Sequence, residues 1–263
     1  MARRTGAAVV NADSQQLYRG LRILSAGPSD EDKALAPHLL YEVDEPSETW
    51  SVGRWLRRAQ KVLAEADGPL IFVGGTGLYF NALTKGLADI PPPPAGLRDE
   101  VTAAYDKVGE DAFRDLLRKA DPAAAARIGP GDRQRLVRAL SVALATGRSL
   151  TQWQAETVPV LAPGAYEAVV VERDRDDLYA RCDQRVDDMM ARGVLDEVSA
   201  LLSLGLPPDL PVMKAVGVPE LAAHLSGATP LDEAVSQVKT ATRQYAKRQL
   251  TWFRNQAAAW PRG

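Results

Sequence analysis

The segment Val9-Val10-Asn11-Ala12-Asp13-Ser14-Gln15-Gln16-Leu17-Tyr18-Arg19-Gly20 constrains the fold most, because an apolar strand-like run ends directly on a carboxylate, a hydroxyl and two amides. In an open α/β sheet ligands bind beyond the carboxyl ends of the strands, so this order places polar chemistry at such an end. Only Met1 to Ala8 precede the run. A strand, loop and helix feeding a parallel neighbour take roughly 30 residues, so the chain is expected to begin partway through a fold of this kind.

Composition narrows the class. With 263 residues, 46% hydrophobic and 25% charged, the chain suits one large core or two unequal lobes and excludes disorder. A net charge of -2 excludes a uniformly basic coat, so any nucleic-acid contact must rest on local clusters. The single cysteine, Cys182, excludes an intramolecular disulfide and a multi-cysteine zinc site, and only His38 and His224 accompany it. No apolar run approaches ~18 residues and the N-terminus lacks a signal-peptide core, so a cytoplasmic protein without membrane contact is expected.

Ala7–Ala12, Pro69–Val73 and Ala168–Glu172 read as buried parallel strands, with Leu39–Val43 a weaker fourth. Helical patterns lie between them, notably Ser51–Ala66 with Ser51 as its cap, and the alternation implies a doubly wound α/β core. Four consecutive prolines, Pro91–Pro94, mark the clearest internal boundary. From Leu97 to about Gly147 the chain is rich in alanine and leucine at helical spacing. The expected organisation is therefore an α/β core over 1–95, a helical insertion over 96–150, and a return strand with C-terminal helices over 151–263.

Three further segments carry candidate chemistry. Gly74-Gly75-Thr76-Gly77 follows a strand and opens a helix, where glycines let backbone N–H groups approach an anion and Thr76 can cap the helix or meet a phosphate; a plain tight turn is the competing reading. Between Lys239 and Arg254 lie five Lys/Arg and no acid. On a helix Lys239, Arg243, Lys247 and Arg254 share a stripe opposite Val238, Ala241, Tyr245 and Trp252, so a phosphate backbone is favoured over a solvated, salt-bridged face. In Asp132–Leu140, Gln134 and Arg138 share one face of a helix started by Pro130 and Asp132, and Leu136 and Leu140 share another. Asp13 alone would serve as a helix cap, but Ser14, Gln15 and Gln16 beside it add donors and acceptors. Cys182, His38 and His224 read as packing or surface residues.

Taken together, residues 11–20, Val-Gly-Gly-Thr-Gly-Leu-Tyr at 73–79, Ala-Arg-Ile-Gly-Pro-Gly-Asp-Arg-Gln-Arg-Leu-Val-Arg-Ala-Leu at 126–140 and Thr-Arg-Gln-Tyr-Ala-Lys-Arg-Gln-Leu-Thr-Trp-Phe-Arg at 242–254 resemble the tRNA dimethylallyltransferase family, in order and across nearly the whole chain. The resemblance implies a P-loop NTPase-like parallel sheet with flanking helices, an all-helical insertion domain and a helical C-terminus. It implies transfer of a dimethylallyl group from dimethylallyl diphosphate to the exocyclic N6 amine of the tRNA adenosine 3′-adjacent to the anticodon. Asp13 matches the family's general base; Asp13, Ser14, Gln15, Gln16, Thr76 and Arg98 match tRNA-contacting positions. Gln134, Arg135, Leu136, Val137 and Arg138 match the insertion motif that grips the anticodon stem-loop, and Arg243, Lys247, Arg248 and Arg254 the C-terminal one. Lys214 falls where the family has a basic residue near the diphosphate, although Val218 replaces the tyrosine of its Gly-Tyr pair. Mg²⁺ with the diphosphate and a monomer are further implications. The family's Gly-x-x-x-x-Gly-Lys-[Ser/Thr] phosphate loop, carried just upstream of the strand matching Ala7–Ala12, does not occur in these residues, and no glycine here is followed by lysine.

Two other classes compete. A P-loop kinase or adenylate-type isopentenyltransferase shares the α/β core but needs neither the helical insertion nor the basic tail. A noncatalytic tRNA-binding remnant fits the lack of the phosphate loop, whereas the intact Asp13 segment speaks for an enzyme.

Overall fold

The computed structural model describes residues 1–263, which divide into two compact units, Met1–Ala82 with Pro163–Gly263, and Leu83–Ala162. The first opens with α1 (Ala2–Thr5), β1 (Ala8–Asn11), α2 (Asp30–Leu35), β2 (His38–Leu39), α3 (Val52–Glu65), β3 (Leu70–Val73) and α4 (Gly77–Thr84). The strands form a parallel sheet in the order β2-β1-β3, with Val9 opposite His38 and Asn11 opposite Val73. Parallel neighbours need long crossovers, and α2 and α3 lie in the two connections. Val10, Asn11 and Ala12 are buried, as expected of a central strand. Ser51 caps α3 by accepting the Arg54 N–H. On that helix Trp55 stacks against Tyr79 of α4, centroids 4.2 Å apart, meets Phe72 edge-on, and donates its indole N–H to the Asn11 carbonyl at 2.9 Å. This aromatic layer seats α3 and α4 on β1 and β3.

Two strand expectations need correction. Leu39–Val43 contributes only its first residue to β2, because Leu40 and Glu42 adopt positive φ angles of 61° and 49°, a left-handed backbone that ends a strand. Ala168–Glu172 does not join the sheet. Val170 instead pairs with the chain's own end, donating to the Pro261 carbonyl at 2.9 Å and accepting from the Gly263 N–H at 3.0 Å. Val169 and Val171 are exposed on either side of buried Val170, the alternation of a ribbon covered on one face rather than of a central strand.

The second unit is helical: α5 (Leu97–Ala120), α6 (Pro122–Arg127), α7 (Arg133–Thr146) and α8 (Leu150–Ala155). Phe113 and Leu117 of α5 and Leu136 of α7 are fully buried at its centre. Buried Asp121 caps α6 through the Ala124 N–H and accepts from both the N–H and the hydroxyl of Thr151. This unit is wider than the 96–150 read from the sequence, because Leu161 N–H donates to the Leu83 carbonyl and the Thr157 hydroxyl to that of Lys85, closing the flanking segments onto each other.

The chain then returns to the first unit through α9 (Arg175–Ala191), α10 (Val194–Ser203), α11 (Val218–Leu225) and α12 (Leu231–Gln256). Glu197 of α10 accepts the Ile23 and Leu24 N–H groups, fixing the turn that follows the polar end of β1. No helix is long and apolar enough to cross a membrane.

Candidate active site

The carboxyl end of β1 is built by short-range hydrogen bonds. Asn11, wholly buried, accepts the Asp13 N–H at 2.7 Å and donates to the Asp13 carbonyl at 2.9 Å and the Leu40 carbonyl at 3.0 Å. Asp13 in turn accepts the Gln15 N–H at 2.9 Å, so it does cap the 3-10 turn Ser14–Gln16. The Thr76 side chain also hydrogen-bonds this carboxylate.

The loop after β3 closes over this turn. Thr76 N–H donates to the Ala12 carbonyl at 3.2 Å, and its Oγ1 accepts the Ser14 N–H at 2.9 Å and lies 3.2 Å from Ser14 Oγ. The glycines here serve close approach rather than an open anion cradle. A Cβ on Gly74 would fall 2.1 Å from the Ala12 carbonyl carbon; on Gly75 it would strike the Gln249 amide, and on Gly77 the Trp252 ring. The C-terminal half of α12 therefore lies against the turn. Of the two glutamines, Gln16 donates to the Ser25 and Ala26 carbonyls, and Gln15 accepts the Val216 N–H at 3.1 Å. The latter bond brings the exposed Lys214 segment, a 3-10 turn over Pro211–Lys214, against the Asp13–Gln16 loop.

Asp13, Gln16, His38, Tyr41, Gly74 and Gln249 line a cleft of about 460 Å³. Protein crowds the Asp13 carboxyl, and this desolvation raises its pKa against the Gln15 N–H bond and the Arg185 charge, which lower it. Arg185, on α9, is the complementary group: the residue is exposed overall, yet surrounding protein desolvates its charge and pulls its pKa down, while Asp13 pulls it back up. It makes no ion pair in the structure. Burial, followed by the Asp13 charge, pushes the Tyr41 hydroxyl up to about 12 and also raises that of Tyr245, which hydrogen-bonds with Thr76, Ser14 and Gln249. A carboxylate with raised proton affinity, electrostatically coupled to a cation that makes no ion pair, can accept a proton while the cation binds an anion.

Sequence reasoning missed Arg185, Tyr245 and Asn11 as site residues. Arg185 sits in a helix of mixed charge, Arg181-Cys182-Asp183-Gln184-Arg185-Val186-Asp187, that offers no local signal. Asn11, in contrast, was legible as a polar residue in an apolar strand.

The basic stripe on α12 divides. Lys239 pairs with Asp187 at 2.7 Å and Arg243 with Asp183 at 2.5 Å, so the first half meets acids of α9 that the local segment lacks. Lys247, Arg248 and Arg254 remain exposed without ion pairs, the Arg248 guanidinium lying 5.4 Å from the Tyr245 ring centre. In the helical unit, Asp132 caps α7, Gln134, Arg135 and Arg138 are exposed, and Arg135 pairs with Asp132 at 2.9 Å. Leu136 and Val137, carried with that motif, are core residues whose side chains face away from solvent. Arg98 is exposed in the first turn of α5.

Comparison with known proteins fits this arrangement. The IPP transferase family model matches residues 16–256. The tRNA dimethylallyltransferase of Phenylobacterium zucineum is 54% identical over 265 residues, covering all of this chain and 86% of the relative, and that of Caulobacter sp. is 53% identical with the same coverage. Among solved structures, the full-length tRNA isopentenylpyrophosphate transferase from Bacillus halodurans is similar at 35% identity and TM-score 0.68, covering all of this chain and 82% of that one. A eukaryotic dimethylallyltransferase acting on tRNA matches at 25% identity and TM-score 0.80, covering 96% of this chain and 64% of that one. A polar loop beyond a parallel strand, a helical unit and a basic C-terminal helix thus coincide with near full-length similarity, and the chain belongs to the IPP transferase family of tRNA dimethylallyltransferases.

Proposed function

We propose that the protein transfers a dimethylallyl group from dimethylallyl diphosphate to the N6 amine of the tRNA adenosine next to the anticodon on its 3′ side, with Asp13 as general base. The observation that carries this reading is the Asp13 carboxyl, fixed by Asn11 at the end of the central strand, lining the cleft, with raised proton affinity and within electrostatic reach of Arg185. As the N–C bond forms, the allylic C–O bond breaks and diphosphate departs with its electron pair. The amine proton passes to the Asp13 carboxylate. Negative charge develops on the leaving group, and two cations are assigned to it: Arg185, which is electrostatically coupled to Asp13, and Lys214, whose segment lies against the Asp13–Gln16 loop.

The tRNA backbone is assigned to the exposed cations Arg135 and Arg138 on α7 and Lys247, Arg248 and Arg254 on α12, with Gln134 and Arg98 as further polar contacts. Arg243, held by Asp183, is given an architectural role. Mg²⁺ is commonly bound through one or two carboxylates together with substrate phosphates. No group of three or more His, Cys, Asp or Glu side chains is arranged here to hold an ion, so these residues do not build a metal site on their own, and no step is assigned to one.

The test is transfer of labelled dimethylallyl from its diphosphate, with tRNA and adenosine monophosphate offered as alternative acceptors. Label on tRNA that disappears with Asp13→Asn is the expected result. Label on the mononucleotide, or undiminished transfer by Asp13→Asn, overturns the reading.

A further inference from the structure

The helix that presents Gln134, Arg135 and Arg138 starts from a turn that ought to be loose. Gly129-Pro130-Gly131 contains two glycines with no atom near the position a Cβ would take, and Gly131 has φ +78°. Glycines without packing lose the most conformational entropy on ordering, so the turn needs an external hold.

Two residues of α5 supply it. That helix breaks at Gly109, whose φ and ψ of 78° and 170° are not helical, and resumes with Glu110. The Glu110 carboxylate accepts the Gly131 N–H at 2.9 Å through Oε2, which also accepts the Tyr105 hydroxyl, and its Oε1 accepts from Arg114 at 2.6 Å. Arg114 in turn donates to the Ala125 and Ile128 carbonyls, both at 2.7 Å, and to that of Gly129 at 3.1 Å. The fork thus closes the C-terminal end of α6 and reaches the first residue of the turn, while Glu110 holds the last. Both side chains are largely covered, at 17% and 26% exposed, unlike the other ion pairs of this unit. Beside them Arg133, the first residue of α7, is held by Asp106 at 2.6 Å and lies 5.6 Å from the Tyr105 ring centre.

We propose that Glu110 and Arg114 are positioning residues for RNA binding: together they clamp Ile128–Gly131 and so fix where α7 begins and how it presents Gln134, Arg135 and Arg138. A planar, five-donor guanidinium suits three carbonyls and a carboxylate at once, which an ammonium cannot match. The inference rests on the assignment of α7 to tRNA, so the experiment tests the two separately.

The full chain carrying Glu110→Gln, Arg114→Lys or Arg138→Ala is titrated with an anticodon stem-loop RNA across a salt series, and amide hydrogen exchange is followed in each variant. The clamp variants are expected to weaken RNA binding roughly tenfold, by misplacement alone. They should also speed exchange at Gly131–Arg133 while the amides of Phe113–Leu117 and Leu136–Leu140 stay protected. Uniformly faster exchange throughout the unit would make the pair a general stabilising element and overturn the proposal. So would wild-type RNA affinity in both clamp variants when Arg138→Ala binds weakly. If Arg138→Ala itself binds like the parent chain, the tRNA assignment of α7 fails, and the clamp proposal falls with it.

Discussion

Asn11 holds the Asp13 backbone from both sides, its Oδ1 accepting the Asp13 N–H at 2.7 Å and its Nδ2 donating to the Asp13 carbonyl at 2.9 Å. The same amide also anchors to Leu40, tying the end of β1 to the end of β2. Asn11 contributes no atom to the cleft and acts through the residue it orients. Replacing it with alanine should lower dimethylallyl transfer by roughly 10²-fold while RNA affinity changes little, because misplacing the base affects the chemical step rather than the tRNA grip. It should also cost about 1–3 kcal/mol in stability, since the polar groups it satisfied remain buried. Parallel kinetics, RNA titration and urea unfolding measure the three effects; weakened RNA binding with unchanged turnover would contradict this role.

Asp13→Asn should trade activity for stability. Burial raises the Asp13 pKa, so between the ordinary carboxylate value and the raised one the folded chain holds a proton that the unfolded chain has lost. The contribution of this group to stability is therefore full below the ordinary value and is lost as pH rises through the folded pKa. At neutral pH the ionised carboxylate disfavours folding, and asparagine keeps the oxygen that caps Gln15 while removing the charge. A higher Tm than the parent at pH 7, converging at low pH, is expected, together with a 10²- to 10⁴-fold loss of transfer. In the parent, kcat/KM should rise with pH along a limb lying above the ordinary carboxylate range. A Tm gain that persists at low pH would show that charge is not its cause.

The two halves of the α12 stripe should separate experimentally. Lys247→Ala removes an exposed, unpaired cation, so the salt dependence of RNA binding should lose about one unit of slope while stability shifts by no more than about 0.5 kcal/mol. Arg243→Ala breaks the bond to Asp183 and should instead destabilise by about 0.2–1 kcal/mol with the salt slope preserved. A salt series combined with thermal melting distinguishes them. Equal slopes for Lys247→Ala and the parent would remove this helix from the RNA interface.

Gly74→Ala should disrupt the site through backbone contact. The added methyl would meet the Ala12 carbonyl at 2.1–2.2 Å, and backbone cannot swing aside as a side-chain end does. A cost of about 1–3 kcal/mol is expected, with faster exchange of the Thr76 amide, which is bonded to Ala12. Gly75→Ala meets only the Gln249 amide, and should be the milder of the two. Reversal of that order would show that the turn adapts to a side chain at Gly74 more readily than its packing indicates.

The sequence by itself determined the elements whose signals are local. β1 and β3 are apolar runs within a few residues of each other's expected limits, α3 and α7 carry their caps at Ser51 and Asp132, and the inward Leu136 and outward Arg138 follow from helical period alone. The Asp13 loop was legible for the same reason, since polar residues at the end of an apolar strand need no distant partner to be noticed. Tertiary structure decided what depends on residues far apart in the chain. Ala168–Glu172 had strand composition, but only the position of Arg262 beside it made it a separate ribbon. Lys239 and Arg243 lacked local acids and found Asp187 and Asp183 on another helix. Glycines after β3 looked like an anion cradle until Gln249 and Trp252 filled the space above them. Arg185 reaches Asp13 electrostatically across more than half the sequence. A periodic pattern reports which face of an element is buried, and charge or space at a site is set by whatever other element is buried against it.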